Sequence, residues 1–149
     1  LSLATLVQPW QAICCHRNAH IAEDECGSPE VYTGGAKLNL IDGEHGKITP
    51  AALEAAIKVQ VQGFVHSVQR GALSLTNATE SGTVYSAAEL KALCDVAKSY
   101  DMPVHLDGAR FANSVVSALR PEVCLSRRRI STNGRSASRL THMGSPSRQ

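Results

Sequence analysis

The chain has 149 residues and a net charge of +2; 43% of the residues are hydrophobic and 19% are charged. This length suits one ordinary domain, and no apolar run approaches the roughly 20 residues that a membrane span needs. The five cysteines are odd in number and lack CxxC spacing, which argues against a disulfide framework and for reduced thiols. No signal peptide is recognisable, so we expect a soluble cytoplasmic protein.

The first 60 residues alternate between strand-like and helix-like segments. In chain order they are a helical start (residues 1–7), a strand (12–15), a helical turn (20–26), a strand (36–40) and a helix from Pro50 onward. Gly27 and Pro29 are expected to end the helical turn. Thr49 is the expected cap of the helix, because Thr accepts backbone N–H groups there and Pro suits the first helical position.

The next 58 residues continue the alternation. Predicted are a strand over 72–75, a helix over Ala87–Tyr100 and a strand over 104–107. Ser86 and Glu89 form a capping box at the start of the helix, and Pro103 follows its end. Strands that alternate with helices indicate βαβ units and therefore an α/β fold with a parallel sheet.

The last segment, residues 119–149, differs in kind from the preceding 118. It holds seven arginines, one acidic residue (Glu122) and no aromatic residue. A segment so poor in apolar side chains cannot offset its ordering entropy, so we expect it to be disordered. Its abrupt change of composition also fits translation out of frame.

One stretch, PVHLDGARFAN (Pro103–Asn113), carries the clearest chemical signal. A short strand delivers Asp107 and Arg110 to its carboxyl end, where ligands of α/β proteins usually bind. A buried carboxylate beside a guanidinium suits a cationic heterocycle and an anion held close together. Pyridoxal phosphate with a bound amino acid has both groups.

Three blocks in register resemble the threonine aldolases, fold-type I pyridoxal-phosphate enzymes of the β-eliminating lyase group. The blocks are CHRNAHIAEDECGSPEVYTGGAKL, LTNATESGTVYSAAEL and DGARFAN. The likeness is expected to run to about Ala118, so residues 1–118 would be part of the three-layer large domain that binds the cofactor. It implies cleavage of a β-hydroxy-α-amino acid to glycine and an aldehyde by a homo-oligomer.

The resemblance assigns roles to three residues, and Thr79 and Glu80 join them by their position just past a strand end. Asp107 would bind the pyridine nitrogen, Arg110 the substrate carboxylate, and His20 would stack on the cofactor ring and assist proton transfer. Thr79, with Glu80 beside it, would line the same pocket. The residues alone also allow a turn-capping Asp107, a surface ion pair for Arg110 and an exposed His20.

A metal site is the weaker interpretation of the histidine block. His16 and His20 are four residues apart, with Glu23 and Cys26 close behind, but HRNAH lacks the glutamate of HExxH and matches no common zinc spacing. We therefore expect no metal.

Two elements that a pyridoxal-phosphate enzyme needs are missing from this sequence. It has no Gly-rich phosphate-binding turn, and the residues after Asp107 include no lysine to hold the cofactor. We therefore expect the chain to be a truncated, inactive fragment of a protein at least about twice its length.

Two other functions remain open. A different fold-type I activity, such as a β-lyase or an aminotransferase, would use the same aspartate. Alternatively, the chain is a non-catalytic fragment whose basic tail binds polyanions. The lack of aromatic residues for base stacking argues against nucleic acid as the partner.

Overall fold

The computed structural model describes residues 1–119 and contains a parallel four-stranded sheet. The strands are β1 (Gln11–His16), β2 (Lys37–Ile41), β3 (Gln69–Thr76) and β4 (Val104–Asp107). Their order across the sheet is β2-β1-β3-β4, and each neighbouring pair is parallel. All four predicted strands and the α/β class are confirmed. The predicted disorder of residues 119–149 falls almost entirely outside the described residues.

Within residues 1–119, five α-helices join or follow the strands: α1 (His20–Glu23), α2 (Ser28–Tyr32), α3 (Pro50–Val59), α4 (Ala87–Ser99) and α5 (Phe111–Leu119). The Thr49 side chain caps α3, and Ser86 with Glu89 forms the predicted capping box of α4. Both caps satisfy backbone N–H groups that have no partner inside the helix.

The sequence prediction was wrong at two short helices. Gly27 and Pro29 do not simply end a helical turn; Gly27 is the N-cap of α2, and Pro29 lies in its first turn. Proline fits there because the first helical N–H groups need no intrahelical acceptor. At the amino end, Ser2–Thr5 forms a short 3-10 helix, with no continuous α-helix over residues 1–7.

Two hydrophobic clusters cover the two faces of the sheet. On one face, α3 and α4 bury Leu53, Ile57 and Leu93 against the strands. On the other face, Leu3 and Val7 pack with residues of β1 and β3, and Ile21 of α1 adds to them. Strands covered on both faces are expected to be continuously apolar, which explains the buried AICC segment of β1.

The parallel arrangement brings the carboxyl ends of all strands to one edge, called here the carboxyl edge. His20 opens α1 shortly after β1, and Thr79 and Glu80 follow β3. Thr76 at the end of β3 lies in register with Asp107 at the end of β4. The sheet therefore collects the predicted site residues at one edge. None of the helices within residues 1–119 is long and apolar enough to cross a bilayer.

Candidate functional site

The pair formed by Glu80 and Arg110 is the central contact of the carboxyl edge. Arg110 donates from both terminal nitrogens, with distances of 2.6 Å to Oε1 and 2.9 Å to Oε2 of Glu80. This two-pronged geometry is the arrangement in which arginine binds carboxylates best. The side chains of Arg110 and Glu80 are 36% and 25% exposed, so the pair is partly open to solvent.

His20 lies beside this pair and is surrounded by carboxylates. Its Nδ1 is 3.6 Å from Oε1 of Glu80 and 3.4 Å from Oδ2 of Asp24, and its Nε2 is 3.2 Å from Oε1 of Glu25. Although Nδ1 is shielded from solvent, it makes no hydrogen bond within residues 1–119. His20, Glu80 and Arg110 therefore form a contiguous group, which we call the edge triad.

Asp107 ends β4 as predicted, but it is half-buried and not fully buried. Its Oδ1 accepts a hydrogen bond of 3.0 Å from the backbone N–H of Ala109, which is the turn-capping role of a strand-end aspartate. This bond uses one carboxylate oxygen, and the hydrogen bonds of the described residues do not engage the second. The cap is therefore compatible with a further contact from Oδ2.

His105, two residues before Asp107 on β4, is held by two serine hydroxyl groups. Its two ring nitrogens lie 3.0 Å from Oγ of Ser74 and 2.9 Å from Oγ of Ser2. Burial lowers the pKa of His105, and the charge of Asp107 opposes this effect in part. A neutral His105 can donate from one nitrogen and accept at the other, which suits two hydroxyl partners.

Thr79 is buried, and its hydroxyl group serves the loop that follows β3. Thr79 Oγ1 lies 2.8 Å from Oγ1 of Thr83 and accepts from the Thr83 backbone N–H at 3.2 Å. Thr83 Oγ1 in turn donates to the carbonyl of His45 at 2.7 Å. Gly46, which has a φ of +75°, packs directly against Thr79. The predicted contact of Thr79 with a cofactor stays a prediction.

A small cleft with a cavity volume of about 10 Å³ lies at the ends of β1 and β3, and Thr79 and Glu80 line it. Sequence reasoning missed the role of His16, which is buried in its wall. His16 Nε2 is 3.0 Å from the carbonyl of Gly43, and Nδ1 accepts from the backbone N–H of Asn18 at 3.0 Å. Its position at the last residue of an apolar strand was the available signal.

One cluster within residues 1–119 has a geometry that a metal ion could use. His20, Asp24 and Glu80 each offer a ligand atom within 4.8 Å of the others. These are not the residues considered from the sequence, since only His20 is common to both sets. Arg110 occupies both oxygens of Glu80, and its positive charge opposes a cation at this point.

Comparison with known proteins decides the family. The sequence model of the β-eliminating lyases matches residues 1–137. The chain belongs to the β-eliminating lyase family. The match continues beyond Ala118, where the likeness was expected to stop.

Within this family the chain is similar to threonine aldolases. It is 43% identical over 115 residues to a low specificity L-threonine aldolase of Pseudomonas aeruginosa. The aligned residues make up 76% of this chain and 32% of that relative. An enzyme of the same name from Pseudomonas sp. is 40% identical over 115 residues, which are again 76% of this chain and 32% of the relative. The chain thus spans about a third of the length of these relatives.

The fold is similar as well. The structure matches a Leishmania major threonine aldolase with a TM-score of 0.69 and 29% identity, over 74% of this chain and 31% of that one. The resemblance predicted from the three sequence blocks and the fold-type I large domain are therefore confirmed.

Proposed function

We propose that the protein to which this chain belongs cleaves β-hydroxy-α-amino acids, such as threonine, to glycine and an aldehyde with the help of pyridoxal phosphate. The main support is the edge triad beside Asp107, which combines a carboxylate-binding arginine with an aromatic base at one sheet edge. The similarity to low specificity L-threonine aldolases adds the substrate class. By the same resemblance we propose a homo-oligomer.

The residues present fit pyridoxal phosphate in their chemistry. Asp107 retains a carboxylate oxygen without a hydrogen bond among the described residues, and the half-exposed ring of His20 offers a flat surface at the same edge. When bound, the cofactor supplies an electron-accepting ring for the electrons released when the Cα–Cβ bond breaks. The phosphate-binding turn is not contained in this sequence.

Each residue would contribute a separate effect. Asp107 would keep a proton on the pyridine nitrogen, because an adjacent negative charge favours the protonated ring. Arg110 would bind the substrate carboxylate with its planar fork and fix the orientation of the substrate. His20 would pack on the ring and move a proton to or from the β-hydroxyl oxygen.

The 149-residue chain alone is predicted to be inactive. No lysine follows Asp107, so the residue that would hold the cofactor covalently is missing. Purified chain mixed with pyridoxal phosphate and threonine should release no glycine. Turnover together with a borohydride-trapped cofactor on one defined lysine would contradict this prediction.

The test of the proposed function uses a full-length protein that contains this segment. It should release glycine and acetaldehyde from threonine, and Asp107→Asn should slow this reaction by roughly 10² or more, as the loss of transition-state electrostatics does. Asp95→Asn is the matched control, because Asp95 is an exposed residue of α4 that pairs with Lys91. Pyruvate formation or amino transfer without aldol cleavage would instead indicate another fold-type I activity.

A further inference from the structure

We propose that Glu80 competes with the substrate for Arg110. The Glu80 carboxylate binds the same two nitrogens of Arg110 that the substrate carboxylate would use. This inference rests on the proposed function, in which Arg110 binds that carboxylate. In the ligand-free structure both terminal nitrogens of Arg110 already bind Glu80. An incoming carboxylate that uses the same two nitrogens must displace Glu80, so Glu80 sets substrate affinity.

The exchange of Glu80 for a substrate carboxylate on Arg110 should involve only a small change in free energy. The two oxygens of Glu80 are the same kind of planar acceptor as a substrate carboxylate, and Arg110 meets them with two parallel N–H groups. The side chains of Glu80 and Arg110 are 25% and 36% exposed, so solvent screens their ion pair and the pair contributes little to the free energy of folding. A ligand carboxylate can therefore replace Glu80 without a large penalty.

The structure also offers a place for the displaced carboxylate. Glu80 Oε1 already lies 3.6 Å from Nδ1 of His20, and this nitrogen has no hydrogen bond within residues 1–119. When Glu80 leaves Arg110, Nδ1 of His20 is within reach of its carboxylate. Asp24 and Glu25 also face this ring and add to the negative charge around it. Substrate binding at Arg110 would thus strengthen the contact between Glu80 and His20.

The experiment compares ligand affinities of full-length wild type and Glu80→Gln, both loaded with pyridoxal phosphate. Glycine is the probe with a carboxylate, and ethylamine is the probe without one; isothermal titration calorimetry measures both. Glutamine keeps the shape of the side chain but removes the competing charge. Glycine should bind roughly two- to fivefold more tightly to the variant, the range expected for an exposed ion pair, and ethylamine affinity should stay constant.

Two further variants sharpen the result. Glu80→Asp keeps the charge and should leave glycine affinity closer to wild type than Glu80→Gln does. Glu54→Gln is the matched control, because Glu54 is another partly exposed carboxylate, and it pairs with Lys58 on α3. With threonine as substrate, KM should fall in Glu80→Gln while kcat changes less.

The outcomes separate this inference from the proposed function. Unchanged or weaker glycine binding in a folded Glu80→Gln protein would overturn the inference, because Glu80 would then hold Arg110 in place or bind together with the substrate. A wild-type protein that neither binds glycine nor cleaves threonine would instead overturn the proposed function itself.

Discussion

The phenol oxygen of Tyr85 accepts a hydrogen bond of 2.6 Å from the backbone N–H of Ile48, and both residues are buried. This contact joins the segment before α4 to the segment before α3. The Tyr85 backbone N–H also donates to Oδ1 of Asn77 at 3.1 Å, which ties the same segment to the end of β3. Tyr85, which lines the cleft, is therefore tied to two other segments of the chain.

Tyr85→Phe should lower the free energy of unfolding by about 1–3 kcal/mol, because the Ile48 N–H loses its acceptor inside the protein. Tyr100→Phe is the control, since its hydroxyl group donates at 3.2 Å to the partly exposed Glu54 and its loss should cost less than about 1 kcal/mol. Urea denaturation measures both. Equal effects of the two substitutions would contradict the special role of Tyr85.

The cysteines should differ strongly in their reactivity. Cys14 and Cys15 are fully buried on β1, whereas Cys26 is exposed. A thiol reagent at pH 8 should modify Cys26 first and reach Cys14 and Cys15 only after unfolding, because alkylation requires an accessible thiolate. Mass spectrometry of the labelled peptides gives the order. Early modification of Cys14 in the folded protein would show that β1 is accessible.

Because Cys14 and Cys15 are buried, we expect the protein to lose stability at alkaline pH. Burial raises the pKa of Cys14 from 9.0 to about 11, against a smaller lowering by Asn39, and that of Cys15 from 9.0 to about 12. Above pH 9 the unfolded chain releases these protons while the folded chain retains them. Stability is therefore complete below pH 9 and falls toward pH 11–12, by up to about 1.4 kcal/mol per pH unit for each thiol.

Urea midpoints between pH 8 and pH 10.5 test this dependence. Cys15→Ala should make the decline shallower, and Cys26→Ser should leave its slope unchanged because that thiol is exposed. A slope that Cys15→Ala does not alter would contradict the assignment. Burial also raises the pKa of Tyr85 to about 12, which adds a loss above pH 10.

Under the proposed function, Asp107 and Arg110 of a full-length protein should affect different kinetic constants. Asp107→Ala should lower kcat by roughly 10² or more, because the pyridine nitrogen loses its charge partner in the transition state. Arg110→Lys keeps the charge but loses the fork, which acts on bound substrate and transition state alike, so it should chiefly raise KM. Steady-state kinetics with threonine measure both. Near-normal kcat in Asp107→Ala would leave Asp107 only its capping bond to Ala109.

The strands and long helices were predictable because local patterns determine them. β1 is apolar over four consecutive residues, and α4 carries its capping box in the sequence. α2 was missed because glycine and proline mark turns as often as helix starts. The contact between Glu80 and Arg110 spans 30 residues, so no local pattern reports it.

The candidate site residues were predictable only where they lie within one local sequence motif. Asp107 and Arg110 stand in one motif, whereas Glu80 was noted only as a neighbour of Thr79. The hydroxyl bonds of Thr79 depend on how the loop after β3 folds back toward His45, which the sequence does not encode locally.

The strand order β2-β1-β3-β4 has a further consequence for how this protein can change. The chain first moves outward from β1 to β2, then passes back over β1 to β3, so the connections leave β1 and β3 toward opposite faces. Such a reversal opens a crevice between two neighbouring strands, whatever side chains surround it. His20 and Glu80 stand on the two sides of that crevice. Under the proposed function, substrate preference should therefore change through the loops after β1 and β3, while the opening itself follows from the path of the backbone.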